Sequence, residues 1–256
     1  MSDITRARVL EHLRRLYLLH VADRLDGLLD DAARRDLSYM DFLDEILQAE
    51  AASKADKRVR MGIQIAHFPA LKTLEDFDFA AQPGVDQRLV RELATGRFVA
   101  QAHNVLLFGP PGVGKTHLAI GLGREVIKAG YSALFVTATD LLAALAKAEV
   151  EGQLAAKLAH FAKPKLLIID ELGYLPLEKR SAHLFYQLVQ RRYEKSSILL
   201  TTNQLVTQWG QVFGDEMTAA AILDRLLHMS HAQVIQGDSY RLRQKRKAGI
   251  LGAKGD

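Results

Sequence analysis

The chain has 256 residues, and its 48% hydrophobic and 25% charged content is typical of a globular protein with one large domain, or a main domain and a smaller one. It contains no cysteine, which excludes disulfides, cysteine–zinc sites and thiol catalysis. No run approaches about 18 uncharged apolar residues, and the first residues lack the apolar core of a signal peptide, so we expect a cytoplasmic protein without a membrane span. The formal charge of +4 indicates an anionic partner only weakly.

The N-terminal part of the chain has the pattern of a small helical domain. Over residues 4 to 50, apolar positions such as Val9, Leu13 and Leu16 recur on a polar background without strand signals. Basic side chains suited to contact with DNA phosphates form two clusters, namely Arg6, Arg8, Arg14 and Arg15, and Lys54, Lys57, Arg58 and Arg60. A solvated helix face is an equally good interpretation, because residues 1 to 70 contain eleven Lys and Arg against twelve Asp and Glu.

Residues 61 to 84 are expected to form a linker that wraps onto the next domain. They carry Pro69 and Pro83 and show little periodicity. The expected hydrophobic anchors of this linker are Leu74, Phe77 and Phe79. Residues 85 to 94 are predicted to form a helix that leads to the first strand.

From residue 104 onward, short apolar runs alternate with helical patterns. The predicted strands are residues 104–108, 133–138, 166–169, 198–202 and 232–236. The predicted helices are residues 117–129, 140–147, 153–162, 181–194 and 218–228. This alternation predicts a parallel α/β sheet, in which ligands bind at the carboxyl ends of the strands.

A glycine-rich motif between the first strand and its helix fits the P-loop pattern. Its glycines let the backbone curl with N–H groups pointing inward, while the following helix directs its positive dipole end at the same anion. Lys115 is positioned to reach the terminal phosphates, and the Thr116 hydroxyl to bind Mg²⁺. The predicted nucleotide-contacting residues are Gly109, Pro110, Pro111, Gly112, Val113, Gly114, Lys115, Thr116 and His117.

Polar residues follow the next two central strands. The apolar run 166–169 ends in Asp170 and Glu171, which we interpret as a Walker B element. Asp170 would hold Mg²⁺ through water, and Glu171 would orient and polarise the attacking water as a general base. After the following strand, Asn203 is assigned as a sensor of the γ-phosphate, although Asn is also common in turns.

Two further basic features lie near the C-terminus. Arg225 could be supplied to the γ-phosphate of a neighbouring subunit, but the sequence alone favours a surface arginine paired with Asp224. Residues 237 to 256 carry six Lys and Arg against two Asp, which suits DNA contact and a solvated tail equally well. Arg241 in this stretch is a candidate for contact with the nucleotide instead.

Taken together, these residues resemble the AAA+ ATPases of the IstB and DnaC group. The similarity covers nearly the whole chain, and its most specific segments are Asp170-Glu171-Leu172-Gly173-Tyr174-Leu175-Pro176-Leu177 and Gly237-Asp238-Ser239-Tyr240-Arg241. Further matching segments are Phe68 to Phe79, Gly109 to Thr116, Thr201-Thr202-Asn203, Trp209 to Asp215 and Ile222 to Leu226.

The resemblance implies an ATP-dependent, DNA-binding oligomer that captures and deforms target DNA and recruits or stimulates a transposase. It also implies that Arg225 lies where the family has its arginine finger. An obvious helical lid domain after residue 240 is missing, which fits this group and leaves open whether Arg241 meets the nucleotide.

We therefore predict a helical N-terminal domain for DNA or partner contact (1–66), a linker with a lead-in helix (67–100) and an AAA+ ATPase domain (101–256). The expected cofactors are ATP and Mg²⁺, and the expected partners are double-stranded DNA, a transposase and further copies of the chain. One alternative is a helicase loader like DnaC. Another is a P-loop small-molecule kinase, against which Asp170, Glu171 and Asn203 argue, as does the lack of a recognisable acceptor site.

Overall fold

The computed structural model describes residues 3–173, 178–240 and 242, which form two compact units. The first unit runs to Met61 and the second begins at Gly62. Among the described residues, no helix combines the length and the apolar character that crossing a membrane requires.

The first unit is helical, but its helix is broken twice. The predicted helical N-terminal part is confirmed, and its helical stretch over residues 4–50 is interrupted at Tyr17 and Asp36, which adopt left-handed conformations with φ of 57° and 51°. The linker prediction is wrong at its start, because residues 61–65 continue the third helix. The helices are α1 (Asp3–Arg15), α2 (Leu19–Arg34) and α3 (Tyr39–Ile65).

A buried carboxylate joins two helices of this unit. Glu50 on α3 is 4% exposed and accepts a 3.0 Å hydrogen bond from the backbone N–H of Val21, in the first turn of α2. That N–H has no partner within its own helix, and a negative charge at a helix N-terminus is favourable. The small core beside it consists of Val21, Ala22 and Leu25.

The second unit contains the predicted parallel sheet, and the expected α/β fold is confirmed. Its strands lie in the spatial order β2-β3-β4-β1-β5. Every pairing is parallel. The last strand lies two residues earlier than predicted. The strands are β1 (Asn104–Phe108), β2 (Ala133–Thr137), β3 (Leu166–Leu172), β4 (Ser197–Thr202) and β5 (Ser230–Val234).

Helices cover both faces of this sheet, as expected for the central strands β1, β3 and β4, in which every residue except Glu171 is buried. The short elements α5, η1 and α10 were not predicted, because three to five residues are too few to show helical periodicity. The helices are α4 (Gln87–Ala94), α5 (Arg97–Ala100), α6 (Lys115–Lys128), α7 (Ala138–Val150), α8 (Leu154–Ala162), α9 (Lys179–Arg192), the 3₁₀ turn η1 (Val206–Gln208), α10 (Trp209–Phe213) and α11 (Glu216–Leu227).

The segment from residue 66 to residue 82 runs along the sheet and α6. The carbonyl of Ala66 accepts a hydrogen bond from Phe135 N at 2.8 Å. Of the predicted anchors, Phe77 is buried and Leu74 and Phe79 are half-buried. Leu74 fits closely over Gly121 of α6, where an added Cβ would lie 2.6 Å from the leucine side chain. The glycine therefore permits the segment to approach the helix.

A buried arginine ties together three elements at the amino-terminal edge of the sheet. Arg192 is 1% exposed and donates to the carbonyls of Phe161 (2.8 Å), Pro164 (3.0 Å), Lys165 (3.4 Å) and Ser197 (2.7 Å). Burial lowers the pKa of Arg192 to about 9, which leaves the guanidinium protonated at pH 7. The cation thus joins the end of α8 to the starts of β3 and β4.

Candidate nucleotide-binding site

The glycine-rich loop lies between the carboxyl end of β1 and the start of α6. Gly114, with φ of 99°, is the residue before α6, and no side chain caps the first turn of that helix. The first N–H groups of α6 therefore face the loop, an arrangement that favours an anion. Gly112, with φ of 84°, tolerates no side chain, because a Cβ would lie 2.2 Å from the Ser239 hydroxyl oxygen.

Lys115 and His117 occupy different sides of this loop. The Lys115 ammonium donates to the carbonyls of Gly109 at 2.6 Å and Pro110 at 2.9 Å, so the loop itself holds the cation at its mouth. His117 instead turns towards the preceding segment. Its Nε2 lies 2.7 Å from the carbonyl of Thr73, and its ring is nearly perpendicular to that of Phe77, with 5.2 Å between the ring centroids. The assignment of His117 to the nucleotide stays a prediction.

Thr116 and Asp170 meet across the site although 54 positions separate them in the sequence. The Thr116 hydroxyl oxygen lies 3.1 Å and 3.0 Å from the two carboxylate oxygens of Asp170, which is 4% exposed. A hydroxyl and a carboxylate are the hard oxygen donors that Mg²⁺ prefers. The two predicted metal ligands are therefore side by side.

Glu171 projects from the same strand in an unusual backbone conformation. Its φ is 63°, in the left-handed region that non-glycine residues seldom adopt, and its side chain is exposed. The buried Thr201 hydroxyl, on the neighbouring strand β4, accepts a 2.9 Å hydrogen bond from Glu171 N. It also donates to Asp170 Oδ1 at 2.5 Å. Sequence reasoning assigned no role to Thr201, although it begins the matching segment Thr201-Thr202-Asn203 that closes β4.

Asn203 lies directly beyond β4, beside the entrance to the glycine-rich loop. The preceding residue, Thr202, accepts a 3.2 Å hydrogen bond from Gly109 N through its carbonyl. Asn203 is half-buried. Parallel strands that end at one edge thus bring Asn203 to the side of the sheet that carries Gly109 and Asp170.

Arg225 lies at the opposite end of the sheet. Asn104, the first residue of β1, donates to the carbonyl of Leu226 at 3.0 Å, and a five-residue strand spans about 13 Å from there to the glycine-rich loop. The Arg225 side chain bonds Gln190 at 2.5 Å and lies 5.0 Å from the ring centroid of Tyr186. In the part of the chain that the structure describes, Arg225 does not pair with Asp224, which the sequence alone had favoured.

The chain returns to the glycine-rich loop after β5. Tyr240 N donates to the carbonyl of Gly112 at 3.0 Å, and Ser239 packs against the same glycine. Gln82, from the segment before α4, donates to the carbonyl of Asp238 at 3.3 Å. Two segments far apart in sequence therefore border the loop. The predictions for Arg241, for the basic residues from Arg243 onward and for Tyr174 to Leu177 fall outside the described residues.

All eight residues of the two basic clusters are exposed. Arg6 forms an ion pair with Asp26 at 2.5 Å, which holds the pKa of that carboxyl below its usual range through hydrogen bonding. Lys54, Lys57 and Arg58 follow one another at helical spacing on α3, which gives them a common face. These positions are compatible with phosphate contact, which stays a prediction.

Comparisons with known proteins identify the family of this chain. The family described as "IstB-like ATP binding protein" matches residues 11–248. A putative ATP-binding protein of insertion sequence IS21 from Pseudomonas aeruginosa is 47% identical over 239 residues, which are 93% of this chain and 90% of that protein. A putative ATP-binding protein of insertion sequence IS5376 from Geobacillus stearothermophilus is 46% identical, over 93% of this chain and 95% of that protein.

Solved structures with the same fold include AMPPCP-bound DnaA from Aquifex aeolicus. The TM-score is 0.57 at 20% identity, over 74% of this chain and 58% of that chain. DnaI gives a TM-score of 0.51 at 24% identity, over 66% of this chain and 89% of that chain. At these identities the likeness concerns the fold alone. The solved structures show the AAA+ P-loop fold, and the family match and the two relatives show that the chain belongs to the IstB-like ATP-binding proteins of insertion sequences.

Proposed function

We propose that this protein hydrolyses ATP, assembles on double-stranded DNA with further copies of itself, and supports transposition. In this role it captures and deforms target DNA and recruits or stimulates a transposase. The observation that carries the proposal is the meeting of Thr116 with Asp170 beside Glu171, in a chain similar to insertion-sequence proteins.

The proposed chemistry uses residues at the carboxyl edge of the sheet. Lys115 and the N–H groups of the glycine-rich loop bind the phosphates of ATP. Thr116 and Asp170 would hold Mg²⁺, which when bound neutralises charge on the phosphates. Glu171 holds and polarises the attacking water, and Asn203 senses the γ-phosphate.

The oxygen donors of this site support Mg²⁺ bound together with substrate phosphates, rather than a metal held by protein side chains alone. Among the described residues, no group of three or more His, Asp or Glu side chains could hold a metal by itself. Mg²⁺ typically takes one or two carboxylates and completes its shell with waters and substrate phosphates. The pair of Thr116 and Asp170 fits this mode of Mg²⁺ coordination.

Subunit contact completes the site in this proposal. Arg225 belongs to the end of the sheet away from its own glycine-rich loop, so we propose that it acts on the nucleotide of a neighbouring copy. Its guanidinium is planar, permanently charged and able to bind two phosphate oxygens. Assembly and hydrolysis would then depend on each other.

We assign DNA contact to the N-terminal domain, residues 1–66. Residues 67–100 link this domain to the ATPase domain, residues 101–256. The protein is proposed to act in the cytoplasm. Replacing both basic clusters with glutamine should weaken ATP-dependent binding of duplex DNA. The slope of log affinity against log salt should also become shallower, by about 0.9 for each phosphate that is no longer neutralised. Glutamine at Arg34 and Arg35, which pair with Asp31 and Glu45 in the same unit, is the matched control and should change little. Unchanged DNA affinity after both clusters are neutralised would contradict this assignment.

The partner is tested by capture with the purified chain, ATP and DNA. A transposase should be retained and stimulated. Retention of a replicative helicase instead would favour a helicase loader.

A further inference from the structure

The two acidic residues of the site lie in a β-bulge. Ile169 on β3 pairs with Leu200 on β4, and the next pair is Leu172 with Thr202. Two residues of β3, Asp170 and Glu171, therefore lie opposite a single residue of β4. Such bulges are rare between parallel strands and often lie beside active sites, where they redirect a side chain.

The single residue opposite the bulge is Thr201, which is fully buried. Its hydroxyl has one proton to donate, and that bond goes to Asp170 Oδ1 at 2.5 Å. The hydroxyl oxygen of Thr201 in turn accepts the N–H of Glu171 at 2.9 Å. One hydroxyl thus bonds both members of the acidic pair.

Each bond fixes a different feature of the site. The bond to Asp170 fixes the direction of the carboxylate that also meets Thr116. The bond from Glu171 satisfies a backbone N–H that the bulge removes from the regular ladder. That N–H belongs to a residue with φ of 63°, a conformation that persists only where surrounding contacts support it.

We propose that Thr201 is a positioning residue that sets the direction of the proposed metal ligand Asp170 and of the water-orienting Glu171 together. This inference rests on the proposed ATP hydrolysis. Without the hydroxyl, Asp170 loses one donor and Glu171 loses the partner that holds its backbone. ATP binding depends on the glycine-rich loop and Lys115, whereas the hydroxyl of Thr201 bonds Asp170 and Glu171. The loss should therefore appear in kcat and in metal affinity rather than in nucleotide affinity.

The test uses three variants of the full chain. Thr201→Val removes the hydroxyl at nearly constant volume, and Thr201→Ser keeps the hydroxyl. Thr202→Val is the matched control, because Thr202 is the adjacent buried threonine, and its hydroxyl accepts the N–H of Gln204 at 3.1 Å. Each variant is checked by thermal unfolding, by ATP titration and by turnover. Affinity for Mn²⁺, a spectroscopic substitute for Mg²⁺, is measured in the presence of AMPPCP.

In Thr201→Val, kcat should fall about 10- to 100-fold, as expected for loss of a hydrogen bond to a charged group. Mn²⁺ affinity should fall about tenfold, while ATP affinity stays within about threefold. Thr201→Ser and Thr202→Val should stay within about threefold of the wild type in kcat, because both keep the bonds to the acidic pair.

Wild-type kcat in Thr201→Val would overturn the proposal, and so would an equal loss in Thr202→Val. A folded Thr201→Ser with the low kcat expected of the valine variant would overturn it even if Thr201→Val does not fold. A wild-type protein without ATP hydrolysis, or Glu171→Gln with unchanged turnover, would instead refute the proposed function itself.

Discussion

Removal of the Arg225 guanidinium should separate nucleotide binding from hydrolysis. In Arg225→Ala, ATP should bind with nearly unchanged affinity, because the glycine-rich loop lies at least one strand length, about 13 Å, from the backbone of this residue. Hydrolysis should fall by about a thousandfold, the usual contribution of an arginine supplied to the γ-phosphate. Turnover by the wild type should rise with protein concentration, because the proposed mechanism completes the site only between copies.

Mixing two inactive variants gives a quantitative test. Lys115→Ala retains Arg225 but lacks the loop ammonium, whereas Arg225→Ala retains the loop. If both assemble at random in equal amounts, about a quarter of the interfaces join an intact loop to an intact arginine, so the mixture should recover about a quarter of the wild-type rate. Steady-state phosphate release at fixed total protein measures this recovery.

Three results would contradict a role for Arg225 between copies of the chain. A mixture no more active than either variant alone would show that the arginine does not act between copies. Full activity of Arg225→Ala, or of a strictly monomeric wild type, would reduce Arg225 to a surface residue stacked on Tyr186. Arg191→Ala is the control, since it removes an exposed arginine from the last turn of α9 and should hydrolyse ATP at the wild-type rate.

Lys115→Ala should abolish measurable ATP binding, because the phosphates lose the cation held at the loop mouth; wild-type affinity in a fluorescence titration would contradict this. Glu171→Gln should bind ATP normally but release phosphate about 10²- to 10⁴-fold more slowly, and normal turnover would remove Glu171 from the mechanism. Gly112→Ala should weaken ATP binding about tenfold or more, because its φ of 84° is strained for alanine and the new Cβ would meet Ser239; an unchanged titration curve would disprove the need for glycine. Arg192→Met should cost about 3–5 kcal/mol of stability by removing the donor from the buried carbonyls of Phe161, Pro164 and Ser197, and an unchanged thermal unfolding midpoint would show that the cation is dispensable.

The sequence by itself determined the α/β fold and most members of the candidate site. Strands and helices differ in the period of their hydrophobic residues, and the glycine-rich motif is defined by consecutive residues. Both features can therefore be recognised from the local sequence. The helix breaks at Tyr17 and Asp36 were missed because neither residue is a glycine or proline, the residues that most strongly mark a break in the sequence.

The tertiary structure decided which of these residues meet. Thr116 and Asp170 lie 54 positions apart, and they come together only because β1 and β3 end at the same edge of one parallel sheet. The register between β3 and β4 sets Thr201 opposite the two acids, and a bulge of one residue cannot be deduced from composition. The tertiary structure likewise decided that Arg225 lies at the end of the sheet opposite the glycine-rich loop, because this placement follows from the direction in which the chain runs. Such facts depend on how strands pair in space, because pairing is decided by packing across the whole sheet rather than by any residue's neighbours in sequence.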